Sequence, residues 1–392
     1  MGGGRRKGAS GIHDKSHVNF ITLDMTVSDP ATMISGDVNG KLIRRIRANS
    51  HRYLGKYVAD GVMLLCQLDD SDSTKFYDSS AATLDGTQGD VFVQHPTFYT
   101  QAVEVSPAVW KLGFADYKVD ESWLEWTEHD IIGAYEAAST TAFNGAELET
   151  ANSGAGFLRS ISGVASLANV SQANFKTKAR NRSANFSLVR WEHQNIMAFL
   201  FYAIYGNTNA QAICGSGTAT NVKNTGLTNA LGMTDTNSVN GNQSSINFFG
   251  LDNWWGNKYE WVDNVDINGY DWTIADRNSG LTRTVQGQVT PNTWVYPKRM
   301  VVGANLDLIP YPTQTGGDDH HGFCDGVYMT GSSGRVVARS YYHADSQGGV
   351  ACAHMRSASL STYAYVGSRL AFRGHCVKAE SVAAFLAATA IG

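Results

Sequence analysis

Two stretches near the end of the chain carry the residue types of recognition chemistry. Ser340-Tyr341-Tyr342-His343-Ala344-Asp345-Ser346 and Met355-Arg356-Ser357-Ala358-Ser359-Leu360-Ser361-Thr362-Tyr363-Ala364-Tyr365 flank a strand-forming run, Val350 to Ala353. Tyrosine offers rigid amphipathic contact area at low entropic cost, while Ser, Asp and His add adaptable hydrogen bonds, the mixture found in antibody paratopes. Tyr and His rings can also stack on the apolar side of a sugar. On composition alone the same stretches read rather as polar loops between strands. Asp318-Asp319-His320-His321 gathers two carboxylates and two imidazoles. Adjacent side chains rarely converge on one ion without a distant third ligand, so a solvent-exposed loop is expected and no metal is assigned. The cysteines Cys66, Cys214, Cys324, Cys352 and Cys376 are odd in number and contain no Cys-x-x-Cys. They read as reduced, mostly buried thiols rather than a disulfide framework or zinc site. Phosphate-cradling and zinc-protease motifs are lacking, and no cofactor is implied.

These residues need a scaffold. The chain has 392 residues, 43% hydrophobic, 11% aromatic and 17% charged, enough for a large core, while forty glycines imply long turns. A net charge of -4 argues against nucleic acid as the main partner. Arg5, Arg6 and Lys7, then Lys41, Arg44, Arg45, Arg47 and Arg52, form basic runs that either dock an acidic partner or are simply solvated. Residues 1–17 are Gly-rich, basic and polar, and are expected to be a flexible tail. No apolar N-terminal stretch reads as a secretion signal, so assembly in a cytoplasm is expected. The apolar Val382 to Ile391 is about half of what a bilayer span needs, so no membrane insertion is expected.

Short alternating segments bounded by turn residues predict strands at Asn19 to Leu23, Gly61 to Leu68, Gly89 to Tyr99 and Ile131 to Tyr135. Near-helical spacing of Leu188, Trp191, Asn195, Phe199 and Tyr202, widened by Phe201, Ile204 and Tyr205, predicts a core helix over Leu188 to Tyr205. Gly206 to Gly250, rich in Asn, Thr, Ser and Gly, reads as an insertion or set of long loops too polar for a core. Strands return at Trp294 to Tyr296, Gly326 to Met329, Arg335 to Arg339, Gly349 to Met355 and Ser368 to Phe372.

Gly250-Leu251-Asp252-Asn253-Trp254-Trp255-Gly256-Asn257-Lys258-Tyr259-Glu260-Trp261-Val262-Asp263 resembles the Gly-Asn-x-Trp/Tyr-Glu-Trp-x-x-Asp motif of the formylglycine-generating-enzyme branch of the C-type-lectin-like fold. Arg335 to Ser340, Gly348-Gly349-Val350 and Val366-Gly367-Ser368-Arg369-Leu370-Ala371-Phe372-Arg373 look like its closing strands. His95-Pro96-Thr97-Phe98-Tyr99 and Ile132 to Ala137 are similar to the lead-in of phage and prophage tail proteins of gut Bacteroides relatives. The Gly-Gly-Val turn and the final strand also resemble variable proteins diversified by retroelements, so the resemblance covers about residues 40–376. Read as side chains, Trp254, Trp255, Tyr259 and Trp261 are core anchors. Gly256 permits a tight turn beside them, and Glu260 and Asp263 satisfy neighbouring buried backbone groups.

The resemblance implies an α+β chain. Its expected parts are an N-terminal strand-rich attachment region (18–150), a C-type-lectin-like recognition domain with short strands, one or two core helices and long loops (151–376), and a short apolar C-terminal segment (377–392). Val382, Ala383, Phe385, Leu386 and Ile391 of that segment are expected to pack against a neighbouring subunit of a homo-oligomer, by analogy with tail tips a trimer. In the variable proteins the stretch between the closing strands faces outward, which implies ligand contact by Tyr341, Tyr342, His343, Asp345, His354, Arg356, Ser359, Tyr363 and Tyr365. The implied function is a phage tail receptor-binding protein on the virion that joins other tail proteins and adsorbs to a bacterial surface glycan or protein. The enzymes of the fold use a close cysteine pair to bind copper, and Cys324, Cys352 and Cys376 form no such pair in sequence, so binding rather than catalysis is expected. A purely structural tail protein and a bacterial surface adhesin of the same fold are the rival readings.

Overall fold

A computed structural model describes residues 17–217, 222–240, 243–276, 281–287, 292–303, 306–310, 316–341 and 346–391. The first part of the chain forms β1 (Val18–Asp24), β2 (Ile34–Gly36), α1 (Lys41–Ala48), β3 (His51–Ala59), β4 (Val62–Gln67) and β5 (Asp90–Gln94). Next come β6 (Phe98–Ser106), β7 (Val109–Ala115), β8 (Leu124–Trp126), β9 (Asp130–Glu136), α2 (Gln172–Arg180), β10 (Phe186–Leu188) and α3 (Trp191–Tyr205). The last part supplies β11 (Tyr259–Asn268), β12 (Asp271–Ala275), β13 (Thr282–Gln286), β14 (Thr293–Val295), β15 (Val327–Met329) and β16 (Arg335–Arg339). It closes with β17 (Ala353–His354), β18 (Val366–Arg373), β19 (His375–Lys378) and α4 (Val382–Ala387). With 39% strand and 13% helix, strands rather than helices carry the core.

A sheet of fourteen strands runs in the order β14-β15-β17-β16-β11-β18-β9-β5-β3-β4-β19, with β10 paired to β18, β12 to β11 and β13 to β12. The sheet runs across the expected division at residue 150, because β9 pairs with β18 from the far end of the chain and β5 pairs with β9. A second sheet, β2-β1-β7-β6-β8, is built wholly from the first part. Its strands alternate, so that Ile21, Leu23, Leu112 and Phe114 enter the same core as Leu42, Ile43 and Ile46 of α1. On its other face Gly113 leaves room for Trp123, whose ring would lie 2.5 Å from an added Cβ.

Helix α3 is buried from Trp191 to Ala203, polar in its first turn (Glu192 to Asn195) and apolar all round from Ile196 on. It begins three residues later than the periodicity predicts, because Phe186 to Leu188 pair with Phe372 to Leu370 as a strand. Arg190 caps its start and Gly206, at φ 62°, ends it in the left-handed conformation. The segment from Gly206 to Gly250 is not all surface loop. Ile246, Phe248 and Phe249 are buried in the main core, and Phe201 packs edge-on against Phe248 at 5.5 Å. The run Gly349 to Met355 is a strand only at Ala353–His354. Before it the chain wraps around the buried Asp325, whose carboxylate accepts Ala351 N–H at 2.6 Å. Gly349 is required there, since its φ is 141° and an added Cβ would meet Asp325 Oδ1 at 2.0 Å.

The basic run around α1 is spent internally rather than on a partner. Arg45 pairs with Asp116, Arg47 with Asp235, and the buried Arg52 donates to Gly250 O at 2.6 Å and Asn247 Oδ1 at 3.2 Å. The C-terminal segment also turns inward: β19 pairs with β4, and Val382 and Phe385 are buried, the latter against Phe76. Lys56 Nζ donates to the carbonyls of Phe385, Leu386 and Ala388 at the end of α4, where the helix dipole favours a cation. Docking onto its own chain thus replaces the expected role of Val382 and Phe385 in a subunit contact, while Ala383, Leu386 and Ile391 stay exposed. Among the described residues, no helix is long and apolar enough to cross a membrane.

Candidate functional site: an aromatic face on the sheet

Five hydrogen-bonded steps set one row of side chains across the sheet. Trp294 on β14 pairs with Tyr328 on β15, Tyr328 with His354 on β17, His354 with Ala338 on β16, Ala338 with Trp261 on β11, and Trp261 with Ser368 on β18. Paired residues project to the same face, so this row points one way and the adjacent row, with Val327, Ala353, Arg339 and Glu260, points the other.

The inward row is held by buried charge. Arg369 donates to Glu260 Oε1 at 2.7 and 2.9 Å and to the carbonyls of Gly133, Ala134, Asp252 and Asn253, with both partners of the ion pair fully buried. Glu260 therefore answers a guanidinium, not the backbone groups expected of it. Asp263 does serve a backbone group, accepting Asn264 N–H at 2.8 Å, and also pairs with Lys176 at 2.8 Å. Arg339 lies 5.0 Å over the Trp191 ring and donates to Val350 O and Asn195 Oδ1, which seats the strands on α3. Glu136 accepts from Ser166 Oγ, Asn257 Nδ2 and Lys258 N, and burial pushes its carboxyl up to about 7. Trp254, Trp255, Tyr259 and Trp261 are all buried. Gly256, at φ 92°, lies where an added Cβ would come 2.5 Å from Ser216 O.

The outward row divides in two. Over β11 and β18 it is covered: Trp261 Nε1 donates to Val170 O at 3.3 Å, and Gln172 at the start of α2 donates to Val262 O. Over β14, β15 and β17 the rings of Trp294, Tyr328 and His354 are half-buried. His354 sits 5.4 Å from Tyr328 at an interplanar angle of 32°, 5.8 Å from Trp294 at 36° and 5.2 Å from Tyr259 at 39°. Trp294, on the edge strand, is turned 68° from Tyr328. Tyr341 follows Ser340, whose φ is 65°, and packs between Trp294 (5.4 Å) and Tyr259 (5.1 Å). Tyr365 stacks on Tyr363 at 5.2 Å and reaches Tyr259 at 6.2 Å, and Tyr363 lies over Trp261. The result is one aromatic surface from Trp294 to Tyr363.

Polar groups on this surface are few. Arg356 is exposed, with its guanidinium 6.0 Å over the Tyr328 ring. Burial, helped by the charge of Arg356, pushes His354 down to about 4, so its ring is neutral in ordinary solution. Ser359 is half-buried, and its carbonyl accepts Ala173 N–H in the first turn of α2.

Of the nine residues singled out as ligand-contacting, the structure brings His354, Arg356, Tyr363 and Tyr365 to this surface. It places Tyr341 among these rings but only 8% exposed, and Ser359 at the join with α2. Tyr342, His343 and Asp345 lie outside the described residues. Trp294 and Tyr328 join the face although sequence reasoning marked only their strands. The available signal was an aromatic ring at the single outward position of each three-residue strand, where a solvated sheet face would carry a polar residue.

The other chemistry-bearing groups do not gather here. Asp318, Asp319 and His320 bring ligand atoms within 4.8 Å of one another, but they are consecutive and half to fully exposed. Asp318 and Asp319 are each hydrogen-bonded to a neighbouring histidine instead. All five cysteines are free. Burial raises Cys66 to about 11 and Cys214, Cys324 and Cys376 to about 12, which keeps these thiols protonated and poorly nucleophilic.

No protein-family model matches the chain, and no curated protein matches it. Among solved structures it is similar to the Major Tropism Determinant U1 variant, with 12% identity, 84% of this chain and 73% of that chain covered, and a TM-score of 0.32. The Major Tropism Determinant M1 variant is similar at 14% identity, covering 94% and 86% with a TM-score of 0.32. PvdO from Pseudomonas aeruginosa is similar at 10% identity, covering 74% and 96% with a TM-score of 0.28. The reading of the site rests on its own residues and not on these likenesses.

Proposed function

We propose that this chain is a receptor-binding protein of a phage tail, which adsorbs to a bacterial surface through the aromatic face and does no chemistry on what it binds. The observation that carries the reading is the row Trp294, Tyr328 and His354, three rings in register on neighbouring strands and left half-open on a face whose other half is covered. Aromatic rings left part-open side by side in this way suit an interaction site. The scaffold beneath is fixed by buried ion pairs, so the face is preorganised and loses little entropy on binding. The virion setting, attachment to other tail proteins and repetition of the site in a homo-oligomer follow from the sequence resemblance. Repetition would multiply a weak single-site affinity into avidity.

The test is labelling of a panel of intact bacteria by the fluorescent full-length protein, beside a Tyr328→Ala, Tyr365→Ala variant of unchanged circular dichroism. Labelling of some strains by the native protein and of none by the variant is expected. Equal labelling by both would move the site elsewhere, and no labelling of any strain would favour a structural tail role.

A further inference from the structure

We infer that the ligand of the aromatic face is a saccharide bearing a carboxylate, with its ring on Tyr328 and His354 and its acid group on Arg356. The inference rests on the receptor-binding reading above and narrows its ligand.

The floor of the site is a cluster of half-buried rings. Tyr328 lies within 32° and Trp294 within 36° of the His354 ring plane, and the three centroids stand 5.4, 5.7 and 5.8 Å apart. That compact triangle is on the scale of one pyranose ring. A pyranose offers one side made of C–H groups, and these settle on the negative face of an aromatic ring. A patch of rings of this size beside an exposed guanidinium suits a ligand that has both an apolar side and a charge.

Charge selects among sugars. Arg45, Arg47, Arg52, Arg159, Arg182, Arg190, Arg283, Arg339 and Arg369 each donate to a carboxylate, carbonyl or side-chain oxygen of this chain. Arg356 has no such partner among the described residues, although it is the cation held over the floor of the site. A guanidinium is a planar fork of N–H donors that matches a carboxylate with two parallel hydrogen bonds. The neighbouring His354 is uncharged at neutral pH, so the site offers one positive charge for one acid group. In a chain of net charge -4, that local cation works against the overall field, so it selects a ligand at short range rather than steering it from afar.

The experiment uses surface polysaccharide extracted from a strain that the full-length protein labels. One portion is left intact, and in the other the uronic carboxylates are reduced to primary alcohols with carbodiimide and borohydride. Both compete against labelling of the cells, for the native protein and for Arg356→Gln, an exposed change that leaves folding untouched. Competition by the intact polysaccharide at a concentration at least tenfold lower than by the reduced form is expected, and Arg356→Gln should lose that difference. If the reduced form competes as well as the intact one, the carboxylate is overturned while the receptor reading stands. If neither competes and protease treatment of the cells abolishes labelling, the saccharide is overturned in favour of a protein receptor. If no strain is labelled, the receptor reading itself falls.

Discussion

Two faces of the same strands put neighbouring residues to opposite uses. Glu260 and Trp261, Ala353 and His354, and Ala338 and Arg339 are adjacent in sequence, yet one of each pair looks at α3 and the other looks away. Inside, the charges of the row are met by polar groups of the chain: Arg369 by Glu260 and four carbonyls, Arg339 by Val350 O and Asn195, with Glu260 Oε2 and Arg339 Nε left without a hydrogen bond among the described residues. Outside, rings lie against rings, and Arg356 above them has no carboxylate or carbonyl partner among the described residues. A buried ion pair contributes little net stability, but losing either member is costly, so the inner row acts as a register lock. The outer row keeps apolar area in contact with water, which folding alone does not favour. The inner face is satisfied within the chain, and the outer one is the face we propose for a ligand.

The comparison breaks first at Arg369. Arg369→Ala leaves Glu260 buried with an unanswered charge and four carbonyls without a donor, and is expected to cost about 3–5 kcal/mol in urea denaturation. Adding Glu260→Leu should restore part of that loss. A cost below about 1 kcal/mol for the single change would mean that the inner row does not fix the sheet. Gly349→Ala is the next largest, expected to cost about 2–4 kcal/mol, since it combines a left-handed backbone with a clash against Asp325. Thermal melts of this variant at neutral pH would show it, and an unchanged Tm would mean that the turn around Asp325 is wrongly drawn.

Trp294→Ala reverses the balance. The ring is half-buried at the sheet edge, so a stability loss of about 1 kcal/mol is expected, together with at least a tenfold loss of binding to labelled cells. Loss of stability without loss of binding would turn Trp294 into a packing residue and shrink the face to Tyr328 and beyond.

Much of this scaffold was legible in the residues because periodicity is a local property. Strands β1, β9, β16 and β18 and the apolar helix α3 follow from alternation and helical spacing over a few residues. The burial of Trp254, Trp255 and Trp261 was readable from side-chain size. What periodicity does not contain is which strands pair. Trp294, Tyr328 and His354 are far apart in sequence and meet only because β15 runs parallel to β17 between two antiparallel neighbours. The same blindness hid the partner of Glu260, since Arg369 lies on another strand, and the burial of Ile246 and Phe248, whose polar neighbours masked their alternation. The packing of Tyr341 was not legible either: its type suits a binding loop, and after the left-handed Ser340 its ring packs between Trp294 and Tyr259 with only 8% exposed.

His354 gives the finest test of the difference between the faces, because it is a ring that belongs to the outer row yet is sheltered enough to titrate like an inner group. Its folded pKa, held near 4 by burial and by Arg356, lies below the value of about 6.5 expected in the unfolded chain. The unfolded chain therefore takes up a proton first as the pH falls. The stability linked to His354 is fully present above about pH 6.5 and is lost progressively down to about pH 4, below which both states are protonated and the loss is complete. His354→Phe keeps a flat ring between Tyr328, Trp294 and Tyr259 and removes the proton. At pH 7.5 the two proteins should differ by less than about 1 kcal/mol, as a ring-for-ring exchange allows. At pH 4.5 the variant should be the more stable relative to its own neutral value by about 1–2 kcal/mol. Urea titrations of both proteins at the two pH values measure this directly. Parallel acid dependence in the two would place the proton on another group and His354 in open solvent, and the outer row would then lose its centre.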